Sequence, residues 1–307
     1  MTLSSEKNIS RRLSSNSIPQ EAFDWYDEYA HGDIDRRTFL SRLGTLSVTG
    51  LTLSVVAGAL TPNYALAEQV SFNDPDISAS YVEFDTPNGH GKGRGYLVIP
   101  KNVSADNKAP AVLVAHENRG LNPYIEDVAR RLAKAGFIAF APDALFPLGG
   151  YPGNDDAGRE MQKTLDGSKI EGDFMDAATL LQKHAFSTGK VGMVGFCYGG
   201  YLTNTLAAMM PDTIQAGAPY YGTPAKTNID KIKASLQIHF AELDQRVNST
   251  WSDYEKALKA NKVNYTAYVY PKTNHGFHND STARYDEKNA ELAWQRTISF
   301  FEKTLRA

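Results

Sequence analysis

The sequence predicts an α/β protein built on one mostly parallel sheet with helices on both faces. Three observations predict it. Strand and helix patterns alternate from about Glu68 to the C-terminus. The strands at 109–115 and 137–141 are continuous apolar runs, as expected where both faces of a sheet are covered. A third run, from Val191, stops at a glycine-bracketed cysteine and turns into an alanine-rich helical pattern. The 307 residues, 42% hydrophobic content and net charge of -3 suit one sizeable core. No basic surplus points to a nucleic acid partner.

Residues 1–67 read differently. A polar, Ser-rich stretch leads to Arg36-Arg37-Thr38-Phe39-Leu40, then to a mild apolar stretch at 46–60 and to Ala65-Leu66-Ala67. A basic region, a short apolar core and an A-x-A end make a secretory signal peptide. The arginine pair is similar to the twin-arginine export signal, although Asp35 stands where Ser or Thr is usual and the polar region before it is long. The expectation is a leader at 1–67, cleaved after Ala67, and a single catalytic domain at 68–307. The protein would then be periplasmic or secreted, meeting a membrane only during export. The rival is a retained anchor, for which the apolar stretch is short. Cys197 is the only cysteine, so it has no internal disulfide partner. An unpaired thiol in an oxidising compartment favours a functional reason for keeping it. The expected assembly is a monomer or small homo-oligomer.

In chain order, 81–85 and 95–99 read as paired strands joined by a turn-rich segment at 88–93. After the strand at 109–115, residues 122–135 have helical spacing at Ile125, Val128, Ala129 and Leu132, with Pro123 suited to a first turn and Gly136 to a stop. Residues 145–158, dense in Pro, Gly and Asp, read as a long loop, followed by a helix at 170–184. A helix is expected at 200–210, strands at 214–220 and 236–241, a helix at 252–262 and a strand at 265–270. The closing helix repeats Ala290, Ala293, Trp294, Thr297, Ile298, Phe301 and Leu305 along one face.

Cys197 lies at the tip of the strand-turn-helix. Gly195 and Gly199 flank it at the spacing of a nucleophile elbow, with Cys where Ser is usual. The following helix N-terminus supplies oriented N–H groups and partial positive charge for a thiolate or oxyanion. A buried structural cysteine is the competing reading. Ligands gather at the carboxyl ends of strands in such sheets. Asp244 follows the strand at 236–241 and His275 follows the strand at 265–270. Either could be ordinary, an Asp capping a helix or a His in solvent. The chain order nucleophile, acid, histidine is that of α/β-hydrolases.

Gly195-Phe196-Cys197-Tyr198-Gly199-Gly200, Glu242-Leu243-Asp244-Gln245-Arg246-Val247 and Tyr270-Pro271-Lys272-Thr273-Asn274-His275-Gly276-Phe277-His278-Asn279-Asp280 resemble the dienelactone hydrolase family, within the α/β-hydrolase fold. His116-Glu117-Asn118-Arg119-Gly120-Leu121 is similar to its further acidic motif. The resemblance covers essentially the whole chain after the leader. It implies a Cys197, Asp244 and His275 triad, Glu117 assisting thiol deprotonation, and an oxyanion hole from the backbone N–H groups of Tyr198 and Asn118. By its residue types alone, Glu117 could equally be a surface carboxylate paired with Arg119.

The implied chemistry is attack by a thiolate on a small-molecule ester or lactone, of the carboxymethylenebutenolidase type, through an acyl-thioester. Thiolate leaves a tetrahedral intermediate more readily than an ordinary alkoxide, which favours substrates with good leaving groups. Family members grip a substrate carboxylate with arginines in the loop after Pro142-Asp143 and shortly after the catalytic histidine; neither place holds one here. Arg119, Arg159, Arg246 and Arg284 are the alternatives, and Phe146, Tyr151 and Tyr220 are expected to line a more apolar pocket. No metal-ligand cluster or cofactor fingerprint is present: His116-Glu117 lacks a second helical His, and the elbow lacks a phosphate-loop Lys. Two other function classes stay open, a non-catalytic binding protein on this scaffold and a thiol-redox role. The latter lacks a resolving cysteine.

Overall fold

A computed structural model of the chain describes residues 18–46, 57, 58 and 60–307. Its strands are β1 (Ile77–Thr86), β2 (Gly91–Pro100), β3 (Ala109–Ala115), β4 (Ile138–Pro142), β5 (Ser187–Phe196), β6 (Ile214–Tyr220), β7 (Ser235–Ala241) and β8 (Tyr265–Tyr270). They form one sheet in the order β1-β2-β4-β3-β5-β6-β7-β8. β1 and β2 form an antiparallel pair and β2 is antiparallel to β4, while every pairing from β4 through β8 is parallel. The β1–β2 pair runs from Ile77↔Pro100 to Thr86↔Gly91, beyond the expected segments, because backbone pairing continues past the apolar residues that mark a strand in sequence.

Helices cover both faces. α1 (Gln20–His31), α2 (Arg36–Thr45) and the short α3 (Tyr64–Ala67) precede the sheet. Then come α4 (Pro123–Lys134), α5 (Asp155–Lys163), α6 (Gly167–Lys183), α7 (Tyr198–Met209), α8 (Gln245–Asn248), α9 (Trp251–Ala260) and α10 (Glu287–Leu305). Ala111, Leu113 and Ala115 of β3 pack in one core with Phe174 of α6, Leu202 of α7 and Leu258 of α9. Val112 and Val114 pack in the other with Val128 of α4 and Phe301 of α10. This alternation across a wholly buried strand is what a continuous apolar run in a doubly covered sheet requires.

α5 corrects the expectation of a structureless loop at 145–158. Asn154 caps it by accepting from Ala157 N at 3.0 Å, and Asp155 and Asp156 occupy its first turn. Side chains that suggest a turn are here the N-terminal chemistry of a helix.

α1 and α2 form a helical pair with its own core. Ala22, Phe23, Tyr26, Tyr29 and Ala30 recur at helical spacing in α1 and are buried with Phe39 and Leu43 of α2. Tyr29 and Phe39 stack at 5.0 Å. Gly32, in the left-handed region with φ 86°, ends α1 directly after His31. Asp35 caps α2 by accepting from Thr38 N at 2.7 Å, so Arg36 and Arg37 sit exposed in a helical first turn. Most of the expected apolar leader core at 46–60, namely 47–56 and 59, lies outside the described residues. Among the described residues no helix is long and apolar enough to cross a membrane.

Candidate active site

The strand-turn-helix at β5–α7 bends sharply enough to place Cys197 at φ 56° and ψ -110°, a strained conformation for a residue with a Cβ. The glycines make the bend possible. A Cβ on Gly195 would stand 2.0 Å from Gly199 O, and one on Gly199 would stand 2.1 Å from Ala115 O. Tyr198 opens α7, so its backbone N–H has no intrahelical acceptor and points from the helix end that carries partial positive charge.

Asp244 follows β7 and is held by capping α8, accepting from Val247 N at 3.1 Å. Its Oδ2 accepts from His275 Nδ1 at 2.5 Å in a buried pair. That bond fixes the imidazole, and among the described residues Nε2 of His275 has no hydrogen-bond partner of its own. Burial favours the neutral forms of both groups. For His275 the charges of Asp27, Asp244 and Cys197 outweigh it and hold the imidazole well above its ordinary range. For Asp244 the His275 charge and hydrogen bond win, and the carboxyl lies below its ordinary range.

At the end of β3, His116 is buried between two backbone groups: Nδ1 lies 2.5 Å from Glu117 O, and Nε2 accepts from Ala144 N at 3.1 Å. Neutral imidazole thus braces the segment that carries Glu117 and Asn118. Glu117 is buried, which corrects its reading as a surface partner of Arg119. Arg119 pairs instead with Asp155 at 3.4 Å. Asn279 Nδ2 lies 3.4 Å from Glu117 Oε2. Burial pushes the Glu117 carboxyl up, against the opposing charge of Arg284.

A second imidazole reaches the thiol. His31, the last residue of α1, places Nε2 at 3.3 Å from Cys197 Sγ. Its Nδ1 donates to Asp27 O at 2.8 Å, one turn earlier, and lies 3.3 Å from Asp27 Oδ1. Arg246 Nη2 stands 2.8 Å from the same His31 Nε2, and Arg246 Nε donates to Asp27 Oδ2 at 3.4 Å. One ring nitrogen each of His31 and His275 and the Cys197 sulfur all lie within 4.8 Å of one another. Burial opposes ionisation of Cys197, yet the charges of His275 and His31, with the His31 hydrogen bond, hold its thiol well below the ordinary range. A cavity of about 270 Å³ opens beside the sulfur, with His31, Asn118, Tyr198, Tyr201, Tyr221 and Arg246 among its walls.

With this geometry in view, the model of the family described as "Dienelactone hydrolase family" matches residues 94–305. The chain belongs to the dienelactone hydrolase family. It is 36% identical over 236 residues to "Putative carboxymethylenebutenolidase" of Aquifex aeolicus, an alignment covering 73% of this chain and 98% of that one. It is 62% identical over 116 residues to "Putative hydrolase fragment YghX" of Escherichia coli, covering 38% of this chain and 97% of that one. The structure titled "Putative Dienelactone Hydrolase" from Klebsiella pneumoniae has a TM-score of 0.63 at 25% identity, covering 74% of this chain and 99% of that one. A second model, "YqhI-like", matches residues 10–47, the span that holds α1 and α2.

Within this dienelactone hydrolase fold, the expected triad residues, Glu117, Asn118 and Tyr198 come together. Several expected pocket residues do not. Tyr220 is fully buried, stacked on His239 at 4.2 Å with its hydroxyl 2.7 Å from Thr297 Oγ1. Its neighbour Tyr221, turned by a φ of 37°, lines the cavity in its place. Phe146 packs under the Arg94 guanidinium at 5.3 Å. Arg119 and Tyr151 line a separate cavity of about 210 Å³ with Tyr26 and Asp155. Among the four alternative arginines, Arg246 lines the Cys197 cavity, while Arg159 and Arg284 lie over the Tyr29 and Tyr26 rings at 4.0 and 4.7 Å. His31 and Asp27 were not expected. Their signal was an Asp and a His four residues apart on an aromatic-rich amphipathic helix, a pattern foreign to a polar leader.

Proposed function

We propose that the protein is a hydrolase of small esters or lactones in which Cys197 is the nucleophile, His275 the acid–base, Asp244 its orienting partner, and the acyl group is carried as a thioester. The observation that supports this best is the strained Cys197 beside an imidazole whose other nitrogen is committed to a buried carboxylate. The thiolate adds to the carbonyl, and the developing oxyanion is met by the backbone N–H groups of Tyr198 and Asn118, each such donor contributing about 3–4 kcal/mol in comparable sites. Collapse expels the alcohol with a proton from the imidazolium. Water, giving its proton to His275 Nε2, then releases the acid and regenerates the thiolate.

Glu117, kept toward its neutral form by burial, lies where a proton-holding carboxyl can follow the charge on Cys197. The aromatic walls from Tyr198, Tyr201 and Tyr221 and the modest cavity suit a compact substrate, with Lys226 as a cation at the wall. The carboxymethylenebutenolidase name of the relatives supports a lactone among the substrates. A purely binding role is not favoured, since it leaves the backbone strain at Cys197 without a use. The test is hydrolysis of 4-nitrophenyl acetate and of an enol lactone. Activity that disappears in Cys197→Ala supports the reading, and activity unchanged in that variant contradicts it.

Export is a separate part of the proposal. The exposed Arg36-Arg37 pair would address the chain to the periplasm. Replacing both with Lys should hold the protein in the cytoplasm, and an unchanged distribution between cell fractions would refute it.

A further inference from the structure

We propose that the α1–α2 pair is a permanent part of the catalytic site, and that His31 is a second catalytic imidazole that takes the thiol proton and delivers it to the leaving group. This rests on the cysteine-hydrolase reading and divides its acid–base work between two residues.

The carrying observation is positional. The imidazole hydrogen-bonded to Cys197 Sγ at 3.3 Å belongs to α1 rather than to the loop after β8. His31 is oriented in a related way, with Nδ1 donating to the Asp27 backbone carbonyl at 2.8 Å, the Asp27 carboxylate 3.3 Å from the same nitrogen, and Nε2 turned to the sulfur. His275 Nε2 meanwhile is buried and, among the described residues, has no hydrogen-bond partner of its own, which keeps it free for the later step.

α1 is fastened where the reaction occurs. Asn118, whose backbone N–H is assigned to the oxyanion hole, donates from its side chain to Ala30 O at 2.8 Å. Arg159 donates to Tyr29 O at 2.6 Å and lies over the same ring. Arg246 joins Asp27 to the segment after β7. His31 forms a wall of the cavity beside the sulfur and leaves that cavity open, so the arrangement completes a site instead of filling one. Burial opposes a charge on His31, but the thiolate and the Asp27 hydrogen bond lift it to about 9. Arg246 Nη2, a donor 2.8 Å from the same Nε2, has to swing aside when that nitrogen takes the thiol proton, and its positive charge then favours onward transfer of the proton.

The proton balance closes. Sγ gives its proton to His31 Nε2 and forms the S–C bond as the carbonyl electron pair moves to oxygen. On collapse the bond from carbon to the departing oxygen breaks, and His31 protonates that oxygen. His275 then takes one proton from water, the resulting hydroxide adds to the thioester, and the C–S bond breaks to restore the thiolate. The proton on His275 passes to His31, and the carboxylic acid product ionises to solvent. The consequence is substrate range. An alkoxide protonated as it departs no longer has to be a better leaving group than the thiolate, so unactivated alkyl esters come within reach.

The test uses the full-length chain with acetate esters of 4-nitrophenol, phenol, trifluoroethanol and ethanol. His31→Asn should lower kcat/KM for the ethyl ester by about 100-fold or more while changing the 4-nitrophenyl ester less than about tenfold, because general acid catalysis of about 10²–10⁴ matters only where the leaving group needs a proton. The slope of log kcat/KM against leaving-group pKa should steepen. Asp27→Asn, which keeps His31 in place, should steepen it partially, and added imidazole should restore ethyl ester hydrolysis to His31→Ala. Equal losses across the series would reduce His31 to a structural contact, and increases across the series would make α1 a block; either overturns the proposal. Wild-type hydrolysis of 4-nitrophenyl acetate that survives in Cys197→Ala, or is absent altogether, sinks the cysteine-hydrolase reading itself.

Discussion

His275 donates through Nδ1 to Asp244 Oδ2 at 2.5 Å, which leaves Nε2 as the ring nitrogen available to sulfur, water or leaving group. The carboxylate therefore sets the tautomer as well as the ring orientation. Asp244→Asn keeps the packing but lets the amide present an N–H to Nδ1 and reverse the tautomer. Steady-state hydrolysis of 4-nitrophenyl acetate by this variant should show kcat reduced by about 10³–10⁴ with little change in KM. A loss under tenfold would show that the tautomer is not set here.

The charges around Cys197 favour its thiolate. A free thiol ionises near about 8.5, whereas His275 and His31 hold this one well below that range despite burial. Its thiolate thus contributes stability above the unfolded value, a contribution lost as pH falls through the lowered folded value. Alkylation by iodoacetamide should remain fast at pH 6 in the native enzyme. In His275→Ala it should slow as the pH drops below neutrality. Identical pH profiles for the two proteins would contradict the charge argument.

The α1 contact has the opposite sign. His31 is raised to about 9, so the stability it contributes is fully present below its unfolded value of about 6.5 and is lost as pH rises through about 9. Thermal unfolding of wild type and His31→Asn, compared from pH 6 to pH 9.5, should show a Tm difference that shrinks across this window. A difference that is constant or grows would place the favourable charge elsewhere.

Two glycines separate steric need from mere flexibility. Gly199 has Ala115 O at 2.1 Å from where a Cβ would stand, and backbone on both sides cannot yield. Gly167, the first residue of α6, has nothing among the described residues within 4 Å of where a Cβ would stand, and no left-handed backbone. Gly199→Ala should cost at least about 3 kcal/mol, or about 6–12 °C in Tm for a domain of this size. Gly167→Ala should be neutral or slightly stabilising. Comparable losses in both would show that the elbow is looser than the contacts require.

Strand-end chemistry made much of the site legible in sequence. Cys197, Asp244, His275 and Glu117 each follow a recognisable apolar strand, and a parallel sheet brings such ends to one edge. What escaped has definite causes. α5 was hidden because Asn154, Asp155 and Asp156 serve a helix start as readily as a turn. Tyr220 and Tyr221 are adjacent, and only the backbone turn after β6 decides which ring faces the cavity. His31 lies upstream of Arg36-Arg37 in a segment whose composition resembles an export leader, and only the packing of α1 brings it to the strand ends. Cleavage after Ala67 and a catalytic His31 exclude one another, and the mass of the protein recovered from its own cells distinguishes them. The account expects a chain that still includes residues 18–46.

The most direct measurement of the central claim is rapid acid quench of the enzyme during turnover of 4-nitrophenyl acetate, followed by peptide mass spectrometry. The account predicts an acetyl group on the peptide containing Cys197, absent from Cys197→Ala, and a burst of one 4-nitrophenol per active site. Full turnover with no acyl group on that peptide, or with the group on another residue, would contradict it.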